Sequence, residues 1–157
     1  METIRHGLDI GKVAPMTGKP FSSAQYDADD DAKNQVGKFI AQHWGLTNVR
    51  VNPNRYGIDL LADDDGILTG IEVEVKHNWT DERFPFSTVH FSARKTKFLD
   101  ECPQTYFAML NHDRTSMIVL DGTQFDNAKL VCKHTRHTHN EWFLQLPLQL
   151  FKHYHLT

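Results

Sequence analysis

"GIDLLADDDGILTGIEVEVK", residues 57–76, holds two short alternating runs on either side of Asp65-Gly66. Asp-Gly is a favoured pair for a two-residue hairpin turn, because both positions tolerate positive φ. If these two are the central turn residues, Asp64 pairs with Ile67, Leu60 with Ile71, Asp59 with Glu72 and Ile58 with Val73. Side chains alternate across a strand, so one face collects Ile58, Leu60, Ile71, Val73 and Val75. The other collects Asp59, Glu72, Glu74 and Lys76, with Leu61 as its one misfit. A slip of one residue would mix the two faces, so the pattern itself favours this register.

The charged face is costly. Opposed carboxylates about 5 Å apart repel by roughly 3 kcal/mol at an effective dielectric near 20. Lys76 offsets part of this, but one cation does not neutralise three anions. A divalent cation would, and oxygen-only ligands on a rigid sheet suit Mg²⁺. A solvated strand face, its charges screened by water, accounts for the same residues. "LADDDGILTGIE" (61–72) also resembles a calcium-binding loop, but Leu61 stands where the first aspartate is needed and the flanks read as strands.

Working outward, "DADDDAKNQVGKFIAQHWG" (27–45) predicts a helix with aspartates crowding its start and Gly45 after its end. Ala32, Val36, Phe39, Ile40 and Trp44 form its apolar stripe. "NVRV" (48–51) reads as a short strand, "STVHFS" (87–92) as extended and "ARKTKFLDE" (93–101) as helical. "TYFAMLN" and "TSMIVLDG" read as strands, "TQFDNAKL" as a short helix, and "LVCKHT" with "EWFLQL" as a last hairpin. Residues 1–26 show no period and are expected to be an irregular arm. Residues 27–157 are expected to form a single domain with that C-terminal hairpin.

Gly57-Ile58-Asp59, a hairpin, then Glu74-Val75-Lys76 resembles the PD-(D/E)xK nuclease superfamily, in particular its small phage- or bacterial-type members. The resemblance covers roughly residues 28–121. It implies an α/β fold with a restriction-endonuclease-like core (α-β-β-β-α-β), a mixed sheet flanked by helices. It further implies a Mg²⁺- or Mn²⁺-dependent endonuclease that hydrolyses DNA phosphodiesters by activated-water attack. Asp59, Glu74 and the Val75 carbonyl would be the metal ligands, and Lys76 would orient the attacking water and offset charge on the phosphate. Glu72 is extra to the minimal pattern, and would hold a second metal or anchor Lys76. The acid that many members bear on the first helix has no clear counterpart, Gln35 standing mid-helix and Asp31 at its start. A catalytically silent nucleic-acid-binding module of the same fold, or an RNA-directed nuclease, are the alternatives.

Arg94, Lys95 and Lys97, just after the site, could grip phosphate or simply be solvated. Trp79, Phe84 and Phe86 are expected to pack beneath their loop rather than stack on bases. His134, His137 and His139 offer a loose histidine set without zinc-like spacing. A chain of 157 residues with 39% hydrophobic composition suits one domain with a real core. Its net charge of −3 counts against coating nucleic acid by charge alone, though it leaves room for a local positive groove. Cys102 and Cys132 suggest reduced thiols in a cytoplasmic setting. No stretch predicts a membrane span. One site per chain implies a homodimer if both strands of a duplex are cut symmetrically.

Overall fold

The Asp65-Gly66 turn forms as the sequence requires. Both residues adopt positive φ, +49° and +84°, and the strands flanking them pair Asp64 with Ile67 and Leu60 with Ile71. The computed structural model describes residues 23–134 and 141–156. Helix α1 spans Ser23–His43, and strands β1 (Thr47–Val51), β2 (Leu60–Asp64) and β3 (Ile67–Val75) follow. Then come β4 (Thr88–Ser92), a 3-10 helix (Ala93–Asp100), β5 (Gln104–Leu110) and β6 (Ser116–Asp121). A second 3-10 helix (Gly122–Asn127) leads to β7 (Lys129–Lys133), β8 (Glu141–Pro147) and β9 (Lys152–His155).

Six strands form a mixed sheet in the order β1-β2-β3-β5-β6-β9. β3 and β5 are parallel and the remaining neighbours antiparallel. A smaller antiparallel sheet has the order β4-β8-β7. The main sheet is covered on both faces. Ala32, Val36 and Ile40 of α1 pack on Leu60, Ala62, Ile71, Ala108 and Leu110. On the opposite face Val89, Phe91, Leu144 and Leu146 of the small sheet meet Phe107, Met109, Ile118 and Leu120. β5 and β6 therefore read as near-continuous apolar runs, because both of their faces are buried. α1, β1–β3, the 3-10 helix 93–100 and β5 follow the α-β-β-β-α-β order expected from the resemblance, with β4 inserted before the helical segment and paired outside the main sheet.

Several expectations are corrected. α1 takes in residues 23–26 of the expected arm, so its aspartates lie beyond the first turn, which holds no acid. Its C-terminal stop at Gly45, with φ +69°, is as expected. Residues 93–100 form a 3-10 rather than an α-helix, and β4 leaves the main sheet to pair with β8. β9, which no sequence period announces, extends the main sheet beyond β6. Ile58 lies on the face opposite Leu60, because the chain bends before β2 begins. Its Cδ1 would sit 2.7 Å from a Cβ at Gly70, with Cys102 Sγ at 2.9 Å, so only glycine fits there. Both described cysteines are free thiols, Cys102 buried and Cys132 exposed. Among the described residues, no helix is long and apolar enough to cross a membrane. His137 and His139 lie outside the described residues.

Candidate active site

Alternation along β3 sends Glu72 and Glu74 to the face away from α1, and Lys76 follows just beyond the strand. Glu72 is buried, whereas Glu74 and Lys76 are half-buried. The Lys76 ammonium lies 2.9 Å from Glu74 Oε2 and donates to the His90 carbonyl at 3.2 Å. Lys95 reaches in from the 3-10 helix 93–100, 2.9 Å from Glu72 Oε2 and 3.5 Å from Glu74 Oε1. Lys95 thus joins the carboxylates rather than an open phosphate-gripping face. Glu72 anchors Lys95, not Lys76. Arg94 stays exposed, its Nε donating to Ser92 Oγ at 3.2 Å. Lys97 lies over the Phe98 ring, 5.1 Å from its centroid.

Asp59 arrives from the segment before β2. Its Oδ2 accepts from the Val73 N–H at 2.8 Å, where β2 has not yet begun to pair. Its Oδ1 lies 3.3 Å from Lys33 of α1. The loop carrying it is clamped by residues that the sequence pattern does not reveal. The Ile58 N–H donates to Glu101 Oε1 at 3.0 Å, and Asn52 Nδ2 donates to the Ile58 carbonyl at 2.9 Å. The Asn52 N–H donates to the Asp59 carbonyl at 2.9 Å. Gly57 makes this possible, since a Cβ there would lie 2.7 Å from both Asn52 Nδ2 and Glu101 Oε1. The Lys76 N–H points to β5, donating to the Leu110 carbonyl at 2.8 Å. Backbone direction alternates along a strand, so the Val75 carbonyl faces the opposite edge, where Asp59 lies.

The charge balance of the cluster differs from that of the isolated strand face. Three lysines, Lys33, Lys76 and Lys95, face the three carboxylates, so the cluster does not need a metal for charge balance. Distant parts of the chain supply two of these cations, which is why the strand pattern alone overstates the repulsion. Burial and then Asp59 push the Glu72 carboxyl up to about 8, against the pull of Lys95. Burial also acts upward on Glu74, but Lys95 and Lys76 outweigh it and hold that carboxyl below its ordinary value. Burial would lower the Lys95 and Lys33 ammoniums, yet their carboxylate partners raise both, Glu72 above all for Lys95 and Asp59 for Lys33.

A raised folded-state pKa for an acid favours its protonated form. Glu72 therefore contributes stability that is fully present below its ordinary value of 4.5 and lost as pH rises through about 8. In EDTA, the melting temperature is expected to carry a downward component across that window. Glu72→Gln should flatten it, and an unchanged slope in that variant would assign the pH dependence elsewhere.

The donor set suits a hard cation. Among the described residues, no group of three or more His, Cys, Asp or Glu side chains is placed to hold a metal ion. Two carboxylates with a backbone carbonyl are oxygen donors of the kind Mg²⁺ uses while keeping waters and a substrate phosphate. Glu72 Oε1 is buried without a hydrogen-bond partner, in keeping with the upward pull of burial on that carboxyl. Trp79 is fully buried, its Nε1 donating to the Arg83 carbonyl at 2.9 Å, so it anchors the loop after Lys76. Phe84 packs against the same core, and Phe86 is half exposed.

No protein-family model matches the sequence, and no curated protein matches it. Among solved structures, the chain is similar to Hjc, a Holliday junction resolvase from Archaeoglobus fulgidus, at 11% identity and a TM-score of 0.44. That match covers 76% of this chain and 86% of the other. It is also similar to D212, a nuclease from a fusellovirus, at 14% identity and a TM-score of 0.47, covering 86% of this chain and 89% of the other.

Proposed function

We propose that this protein is a metal-dependent nuclease of the PD-(D/E)xK type that hydrolyses DNA phosphodiester bonds, most simply as an endonuclease. The observation that carries the reading is the meeting of two separate segments at one edge of β3. Asp59, from before β2, is bonded to the Val73 N–H, and Glu74 and Lys76 lie at the end of the same strand.

Asp59, Glu74 and the Val75 carbonyl would hold Mg²⁺ or Mn²⁺. Bound there, the cation would polarise the scissile phosphoryl oxygen and make its bound water more acidic. The Lys76 ammonium, fixed between Glu74 and the His90 carbonyl, orients the attacking water and offsets charge on the phosphate. Lys95 keeps the Glu72 and Glu74 carboxylates in place. The Glu101 and Asn52 clamp fixes the backbone that presents Asp59. Symmetric cutting of both duplex strands would take a homodimer, one site per copy.

The rival is a catalytically silent nucleic-acid-binding module of the same fold. Its support is the compensation of all three carboxylates by lysines. The deciding experiment incubates purified protein with plasmid, linear duplex, single-stranded DNA and RNA, in Mg²⁺, Mn²⁺ or EDTA. Metal-dependent cleavage supports the enzyme, and the preferred substrate separates DNA from RNA. Absence of cleavage on every substrate and metal favours the silent module.

Arg94, exposed beside the site, is the residue of its helix best placed to touch phosphate. Arg94→Ala is expected to weaken duplex binding and to make the log-affinity against log-salt slope shallower by about 0.9. An unchanged slope would leave Arg94 as a solvated residue.

A further inference from the structure

The three-stranded sheet buries one face through Val89, Phe91, Leu144 and Leu146 and presents the other. Strand register fixes what the presented face carries. His90, Gln145 and Lys129 lie across one row, and Ser92, Phe143 and Val131 across the next. Lys133 pairs with Glu141 beyond them. Lys129 is exposed, and Phe143 is half-buried with the Lys133 ammonium 5.3 Å from its ring centroid. Glu141 is the one acid among the described residues of this face, although the whole chain carries a net charge of −3.

This face runs directly into the site. The Lys76 ammonium donates to the carbonyl of His90, and Arg94 donates to Ser92. His90 itself is bridged to Gln145, Nε2 to Oε1, at 3.3 Å. Burial holds its imidazole below the ordinary value, and Lys133 and Lys76 add to that against the Gln145 bond. Two lysines from different elements therefore act on one point of the sheet. Lys129 and Lys133 on the face and Arg94 beside it outnumber the single Glu141, and that local excess of positive charge is matched by a polyanion.

We propose that this face binds a single-stranded nucleic-acid segment leading away from the scissile phosphate, with Phe143 stacking on a base and Lys129, Lys133 and Arg94 following the backbone. The inference rests on the nuclease reading and deepens it by naming the substrate form. An aromatic ring set among cations distinguishes a single strand from a duplex. Unpaired bases offer a planar face to such a ring, whereas the bases of a duplex are stacked on one another. The half-buried Phe143 is supported by strand neighbours on both sides, so it forms a platform rather than a mobile side chain.

The test is fluorescence anisotropy of the full chain in EDTA, with a labelled single strand and a duplex of equal length, over a range of salt. Lys129→Ala combined with Lys133→Ala should make the single-strand salt slope shallower by about 1.4, two contacts at about 0.7 each. Phe143→Leu, which keeps an apolar side chain in the sheet, should weaken single-strand binding on the order of tenfold and leave duplex binding unchanged. A 2-aminopurine placed in the strand should be quenched by the parent protein and not by Phe143→Leu. Melting curves identify a variant that has failed to fold, and Phe143→Tyr, which keeps the ring, should restore both readouts. Equal loss on single strand and duplex, or single-strand binding by Phe143→Leu like that of the parent, would overturn the proposal. A parent that cleaves DNA while the variants bind normally overturns this surface alone. A parent that neither binds nor cleaves overturns the nuclease reading and this one with it.

Discussion

Asp59→Asn and Glu74→Ala are each expected to reduce metal-dependent cleavage by about 10³-fold or more, equivalent to roughly 4 kcal/mol of transition-state stabilisation. Asp59→Asn is the sharper variant for a structural reason. Asp59 Oδ2 accepts from the Val73 N–H, and an asparagine oxygen can keep that bond while giving up the charge. The fold at the open edge of β3 should therefore survive, and thermal melting should stay close to the parent in EDTA. The parent's gain in melting temperature with added Mg²⁺ should shrink in both variants. EDTA should abolish cleavage by the parent. Full activity in Asp59→Asn would remove Asp59 from the site and with it the proposed ligand set.

Lys76→Ala is expected to slow cleavage by on the order of 10²-fold or more, the usual effect of losing a positioned electrostatic or proton-transfer group. Metal affinity should hold or rise, because a cation beside Glu74 has been removed. Lys76 also ties Glu74 to the His90 carbonyl, so a purely structural role gives a different outcome. The variant would then lose stability, divalent ions would restore it, and the parent would not cleave. Melting temperature and cleavage rate, measured for parent and variant with and without Mg²⁺, separate the two. Lys95 gives a useful contrast, since it is more enclosed and faces both Glu72 and Glu74. Its removal should act mainly on stability.

The hairpin was legible in the sequence because three local rules agree. Asp65-Gly66 supports positive φ at both turn positions, the strands keep a period of two, and any slip would bury charge. Those rules place Glu72, Glu74 and Lys76 on one side of β3 before any tertiary contact forms. They failed at Ile58, where the chain leaves the strand geometry and the side chain turns toward Gly70 and Cys102. The helix stripe was legible for the same kind of reason, since Ala32, Val36 and Ile40 repeat at the helical period and are buried. The helix start was not, because the segment before Asp27 carries no apolar repeat to mark it.

The sequence by itself determined the register of the β2–β3 hairpin and the strand-borne acids, since neighbours along a strand are fixed by backbone alternation. Only the tertiary structure decided their charge balance. Lys33 comes from α1 and Lys95 from the helix after β4, and no local period connects either with Glu72, Glu74 or Asp59. Glu101, 43 residues from Ile58, holds the backbone that presents Asp59 by the same kind of distant contact. Such contacts depend on how the layers stack, and a pattern confined to one strand carries no record of what packs above it.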